Sequence, residues 1–161
     1  VQIQNKRFCV MPQPGREIYF ESIFKRSGDI RAEFFLGLAD VPDSTVINNG
    51  GTLTCPGMGL FGLSSGNYLV IAKDGSGETQ VETTLAPALN TTHRFGMQII
   101  GTTEVNYYLD GAKVATIASN VHDGGSSDDE ELSISYCISN TATLGGDPYA
   151  YADYIYCSTT R

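Results

Sequence analysis

The groups of this 161-residue chain that could do acid–base or recognition chemistry are 18 carboxylates, two histidines and nine tyrosines. Glycoside hydrolysis needs two carboxyl groups roughly 5–9 Å apart, projecting from one strand face into a cleft. Glu78 and Glu82 share a strand face, with Gln80 between them. Glu17 and Glu21 share another, and Asp153 stands alone within Tyr149–Tyr154. Solvated strand faces account for all of these, so no catalytic residue is assigned. His93 opens a strand-like run and His122 lies in an acidic loop. No G-x-S-x-G elbow accompanies either histidine, and no phosphate-cradling glycine loop leads into a helix. The chain is therefore expected not to be an enzyme.

Two other clusters need weighing. Five carboxylates crowd the segment from Asp123 to Glu131, enough oxygen ligands to wrap a calcium ion. The spacing of an EF-hand is absent, so a solvated acidic loop is preferred and no metal or cofactor is assigned. The cysteines, Cys9, Cys55, Cys137 and Cys157, form no C-x-x-C pair and lie away from both histidines. They are read as buried free thiols, the other reading being one bridge between the terminal strands. Tyrosine is abundant and tryptophan absent. Simple alternation puts Tyr149, Tyr151 and Asp153 on one strand face and Tyr154 and Tyr156 on the other. Such rows stack on sugar rings, anchor an interface, or pack across strands.

The elements that must position these groups are strands. Period-two alternation runs through Ile18–Lys25, Ala32–Leu38, Val105–Asp110 and Leu132–Ser139. Asp110-Gly111 is a strong hairpin signal, since both residues tolerate positive φ. Asp74–Gly77 and Ser65–Asn67 link 58–63, 68–73 and 78–84 into a meander. Longer loops are expected at 40–57, 120–130 and 141–148, and no window carries a helical stripe. About eleven antiparallel strands in a two-sheet jelly-roll sandwich are predicted, as one domain over 1–161. Residues 1–13 form an N-terminal arm or an edge strand.

Composition closes several classes. Lys and Arg number 10, giving a net charge of −8, so a phosphate backbone is an unsuitable partner. The densest apolar stretch, Phe34–Ala39, is far too short to span a bilayer. The first residues, Val1–Asn5, lack the charged start and apolar middle of a signal peptide. Neither nucleic acid nor membrane is expected.

The segments Ile18–Ser22, Phe35–Asp40, Gly59–Gly62, His93–Met97, Val105–Ala115, Glu131–Ile134 and Asp153–Ile155 follow one another in an order that resembles concanavalin A-like (laminin G-like) jelly rolls. More narrowly, they resemble the single-domain versions that decorate the heads of tailed bacteriophages. That resemblance implies a non-enzymatic capsid decoration (cement) protein. It also implies the major capsid protein as partner, a homo-oligomer (trimer or dimer) on the lattice, and a place on the outer capsid surface of the virion. Phe8, Met11, Pro12, Tyr149 and Tyr151 are the expected interface residues. The alternative is a carbohydrate-binding, lectin-like module, which requires a sheet face with exposed tyrosines and amide groups.

Overall fold

Residues that alternate between apolar and polar can bury one sheet face only against a second sheet, and the computed structural model shows that arrangement. It describes residues 2–27, 32–40, 46–48, 51–63, 66–86, 88, 90–123, 131–140 and 149–160. The strands are β1 (Gln2–Val10), β2 (Glu17–Ser27), β3 (Ala32–Ala39), β4 (Ile47–Asn48), β5 (Thr52–Leu53), β6 (Gly57–Gly62) and β7 (Leu69–Lys73). They continue as β8 (Glu78–Glu82), β9 (Thr92–Ile100), β10 (Glu104–Leu109), β11 (Ala112–Ile117), β12 (Leu132–Asn140) and β13 (Tyr149–Thr159). The two main sheets run β1-β12-β3-β6-β7-β8 and β11-β10-β9-β2-β13, and every pairing within them is antiparallel. The fold is all-β, a two-sheet jelly-roll sandwich. Among the described residues it has thirteen strands where about eleven were expected, and the extra pair is the short hairpin β4–β5 in the expected loop 40–57.

The main core lies between the sheets. Ile18, Phe20 and Phe24 of β2 meet Phe34, Leu36 and Leu38 of β3, with Phe95, Met97 and Ile99 of β9 beside them. Burying a side chain of this size contributes roughly 1.5–3 kcal/mol each, so this layer dominates stability. Hydrogen bonds cross it too: Tyr107 Oη donates to Ile71 O at 2.6 Å, within fully buried surroundings, and the buried Arg26 donates to Leu63 O at 3.0 Å.

A second, smaller core explains which face is left open. Phe35, Phe61, Ile71 and Cys137 point away from the main core, out of the six-stranded sheet. There Val46, Ile47, Leu53 and Cys55 of the 40–57 segment cover them. Glu78 braces that cover, accepting from Leu53 N–H at 2.9 Å, while Lys73 Nζ donates to Leu53 O at 2.6 Å. No comparable cover lies over the five-stranded sheet among the described residues. Among those residues its outer face is open.

β1 takes an outer edge of the six-stranded sheet, paired with β12 through a bulge between Gln4 and Cys9. The Asp110-Gly111 hairpin forms as the sequence predicts, with φ of 51° and 83° at its two residues. Cys55, Cys137 and Cys157 stand outside any disulfide, which leaves no partner for a bridge between the terminal strands; the side chain of Cys9 lies outside the described residues. Burial pushes the thiols of Cys137 and Cys157 up to about 12, Cys137 with a further contribution from Cys55.

Candidate functional site

The open face is built from residues whose neighbours point inward. On β2 the outward set is Glu17, Tyr19, Glu21, Ile23 and Lys25, because Ile18, Phe20, Ser22, Phe24 and Arg26 are buried. Register carries the same face across the sheet. Tyr19 lies opposite Gln98 and Gln98 opposite Asn106; Glu21 lies opposite Gly96 and Gly96 opposite Tyr108. On the other side Glu21 pairs with Tyr156, Ile23 with Tyr154 and Lys25 with Tyr151.

That last set corrects the expected faces of β13. Plain alternation separates Tyr151 from Tyr154 and Tyr156, but the register shifts between Ala152 and Tyr154. An extra residue in one strand inverts the facing of everything beyond it. Asp153 is that residue, and the bulge brings Tyr151, Tyr154 and Tyr156 onto one surface. They are 55%, 40% and 53% exposed, and Tyr19 adds a fourth ring at 39%. Their chain neighbours Ile155 and Cys157 point the other way and pack against the core.

At the centre of the face is a depression of about 210 Å³ lined by Glu21, Arg94, Gly96, Tyr108 and Gly111. Gly96 forms its floor: a Cβ there would meet nothing closer than Phe20 O at 3.7 Å and Tyr108 Cβ at 3.8 Å. Arg94 and Glu21 form an ion pair across its wall. A second depression, about 270 Å³, lies at the end of the same two strands between Glu17, Ile100 and the turns Pro14–Arg16 and Gly101–Thr103. Between the two, Gln98 Nε2 donates to Glu17 Oε2 at 3.0 Å, and Tyr19 Oη donates to the same carboxylate. Hydrogen bonds from Tyr19 and Gln98 hold the Glu17 carboxyl below its usual range. Further across, Thr116 Oγ1 donates to Asn106 Oδ1 at 2.8 Å and Asn106 Nδ2 to Glu104 Oε1 at 3.0 Å. The surface is a lattice of phenol, amide and carboxylate groups, suited to hydrogen-bonding hydroxyls and stacking on rings.

The other residues singled out from the sequence lie elsewhere. Glu78 and Glu82 sit on β8 at the far edge of the six-stranded sheet; Glu78 is occupied with Leu53 and Gln80. His93 faces the core, packed on Phe24 and Tyr68, with its Nδ1 2.8 Å from Asp110 Oδ2. His122 is buried as well. Most of the acidic segment after Asp123 lies outside the described residues. Among those described, no group of three or more His, Cys, Asp or Glu could hold a metal. Of the expected interface residues, Tyr151 is on the open face, Met11 is half-buried and Pro12 buried beyond β1. The side chains of Phe8 on β1 and Tyr149 on β13 lie outside the described residues. Arg94, Gly96, Gln98 and Tyr108 were missed as site residues. The signal was present in the alternation of β9 and β10, but only register places those residues beside Glu21.

No protein-family model matches the chain, and no curated protein matches it by sequence. Solved structures match its fold. The family 7 alginate lyase A1-II′ is similar with a TM-score of 0.68 and 11% identity, over 99% of this chain and 71% of that one. Alginate lyase AlyC3 is similar with a TM-score of 0.63 and 12% identity, over 98% and 70%. The Bacillus licheniformis β-glucanase gives 0.58 and 14%, over 85% and 64%. The concanavalin A-like jelly roll stands. The expectation of a non-enzymatic phage-capsid decoration protein is corrected: the structures that share this architecture are alginate lyases and a glucanase, with no capsid component among those named. The capsid partner and outer-capsid location rested on that expectation alone.

Proposed function

We propose that this is a carbohydrate-active protein that lays a polysaccharide chain across the open face of its five-stranded sheet. One observation carries the reading: the only uncovered main-sheet face among the described residues gathers Tyr19, Tyr108, Tyr151, Tyr154 and Tyr156 around a depression with Glu21 and Arg94 at its walls and Gln98 one step along β9. Aromatic rings supply flat apolar area for sugar rings, and amides and carboxylates supply oriented partners for hydroxyls. The likeness to alginate lyases and a glucanase supports the same class of ligand.

Titration with a panel of oligosaccharides tests this. Binding is expected, and Gly96→Val should abolish it, because the added side chain fills the depression without a backbone clash. Intact binding in Gly96→Val would move the site elsewhere. A second reading, cleavage of the bound chain, is favoured by the trio Glu21, Arg94 and Tyr108 in one depression. Here Glu21 is the acid–base group and Arg94 positions it through their ion pair. Glu21→Gln should then retain binding and lose release of chain ends. Binding without any turnover in the parent protein would leave recognition as the whole function.

A further inference from the structure

We infer that the polysaccharide bound on this face is an uncharged one, lying lengthwise along β2 and β9; this rests on the carbohydrate reading above. Two depressions fix the direction. One centres on Glu21 and Gly96, the other on Glu17 and Ile100, and both belong to the β2–β9 pair. Four residues separate Glu17 from Glu21 along the strand, about 13 Å at roughly 3.3 Å per residue. The surface between them is Tyr19 and Gln98, a phenol and an amide. A ligand occupying both depressions passes over these two groups.

Charge decides the class. A polyuronate carries a negative charge on every sugar, so a groove holding several sugars needs several cations facing it. On and beside this face, among the described residues, Arg16, Lys25, Arg94 and Lys113 stand against Glu17, Glu21, Glu104, Asp110 and Asp153. The cation in the central depression, Arg94, is engaged by Glu21. Glu17, at the second depression, has its carboxyl held below the usual range by Tyr19 and Gln98 and so stands charged. The whole chain adds a net charge of −8, which repels polyanions at long range. Hydroxyl-rich neutral chains meet none of these penalties and find partners in Gln98, Glu17 and Tyr19.

The test is calorimetric titration with neutral β-glucan and mannan oligosaccharides beside oligoalginate and oligogalacturonate, at low and high salt. Neutral chains should bind with little salt dependence. Tyr19→Ala should weaken them about tenfold, because its ring lies between the depressions. The double variant Glu17→Gln/Glu21→Gln frees Arg94 and removes two charges, so it should gain affinity for the oligouronates. Tighter binding of oligouronates by the parent protein, falling steeply with salt and lost in Arg94→Ala, would overturn the inference while sparing the carbohydrate reading. No binding of any sugar would overturn both.

Discussion

Asp110 meets three requirements at once: it adopts a φ of 51° in the β10–β11 turn, accepts Arg94 N–H at 2.8 Å, and faces His93 Nδ1 at 2.8 Å. Desolvation pushes its carboxyl up, but the hydrogen bonds from Arg94 and His93 outweigh it and hold the carboxyl below the usual range. A carboxyl depressed on folding stabilises the native state above its unfolded value, and that contribution disappears as pH falls through the folded value. The contribution should be complete above about pH 5 and fade from about pH 4 downward. Replacing Asp110 with Ala leaves the buried His93 Nδ1 without a partner, at a cost of about 1–3 kcal/mol. Urea denaturation at pH 7 and at successively lower pH checks both: the parent and variant should differ clearly at pH 7, and the difference should shrink as the pH falls below about 4. Tyr107 gives a second case. Tyr107→Phe deletes the bond to Ile71 O, costing about 1 kcal/mol. Because the hydroxyl points inward, sugar binding should be unchanged in the same variant.

Among the elements, the β13 bulge has the largest consequence for the surface. Deleting Asp153 removes the extra residue, so Tyr151, Ala152 and Tyr154 then alternate plainly and keep Lys25, Phe24 and Ile23 as their partners. Nitration mapped by mass spectrometry should therefore modify Tyr151 and Tyr154 in both the parent and the deletion variant. Protection of Tyr151 in the variant would mean that the register slips instead. The same bulge shows where sequence stops being legible. Alternation in β2, β3, β10 and β12, and the Asp-Gly turn, were readable because each follows from local chemistry: side-chain period two, or tolerance of positive φ. The bulge leaves as its local mark only a change of phase at Asp153 in Tyr-Ala-Tyr-Ala-Asp-Tyr-Ile-Tyr, which plain alternation reads straight through. It is set by which β2 residues the tyrosines oppose. The β4–β5 hairpin was missed for a related reason: two-residue strands carry no periodicity, and Val46, Ile47 and Leu53 gain their role only by covering Phe35 and Phe61. The candidate site was half readable. Glu17, Glu21 and the tyrosines could be named from spacing, whereas Arg94, Gln98 and Tyr108 join them only through the β2–β9–β10 register.

At the scale of the whole molecule, the two cores divide the thiols between them. Cys137 and Cys55 lie in the small core under the β4–β5 cover, and Cys157 packs against the main core between the sheets. Cys137 and Cys157 are pushed up to about 12 by burial, so neither offers thiolate at neutral pH while folded. Labelling therefore reports opening. The cover is held by two short strands, a few apolar contacts and the bonds from Glu78 and Lys73 to Leu53, whereas the main core includes most of the large buried side chains. Segments with fewer buried contacts open at lower free energy than the global transition. Cys55 and Cys137 should accordingly be alkylated at lower urea concentrations than Cys157, as read by peptide mapping at each step. Leu53→Ala, which empties part of the cover, should move the Cys55 and Cys137 transitions to lower urea by about 2–4 kcal/mol and leave the Cys157 transition nearly in place. If all three thiols react together in both proteins, the cover unfolds with the sandwich as one unit. The open face of the opposite sheet, where sugar binding is proposed, should keep its affinity in Leu53→Ala throughout the range where only the cover has opened.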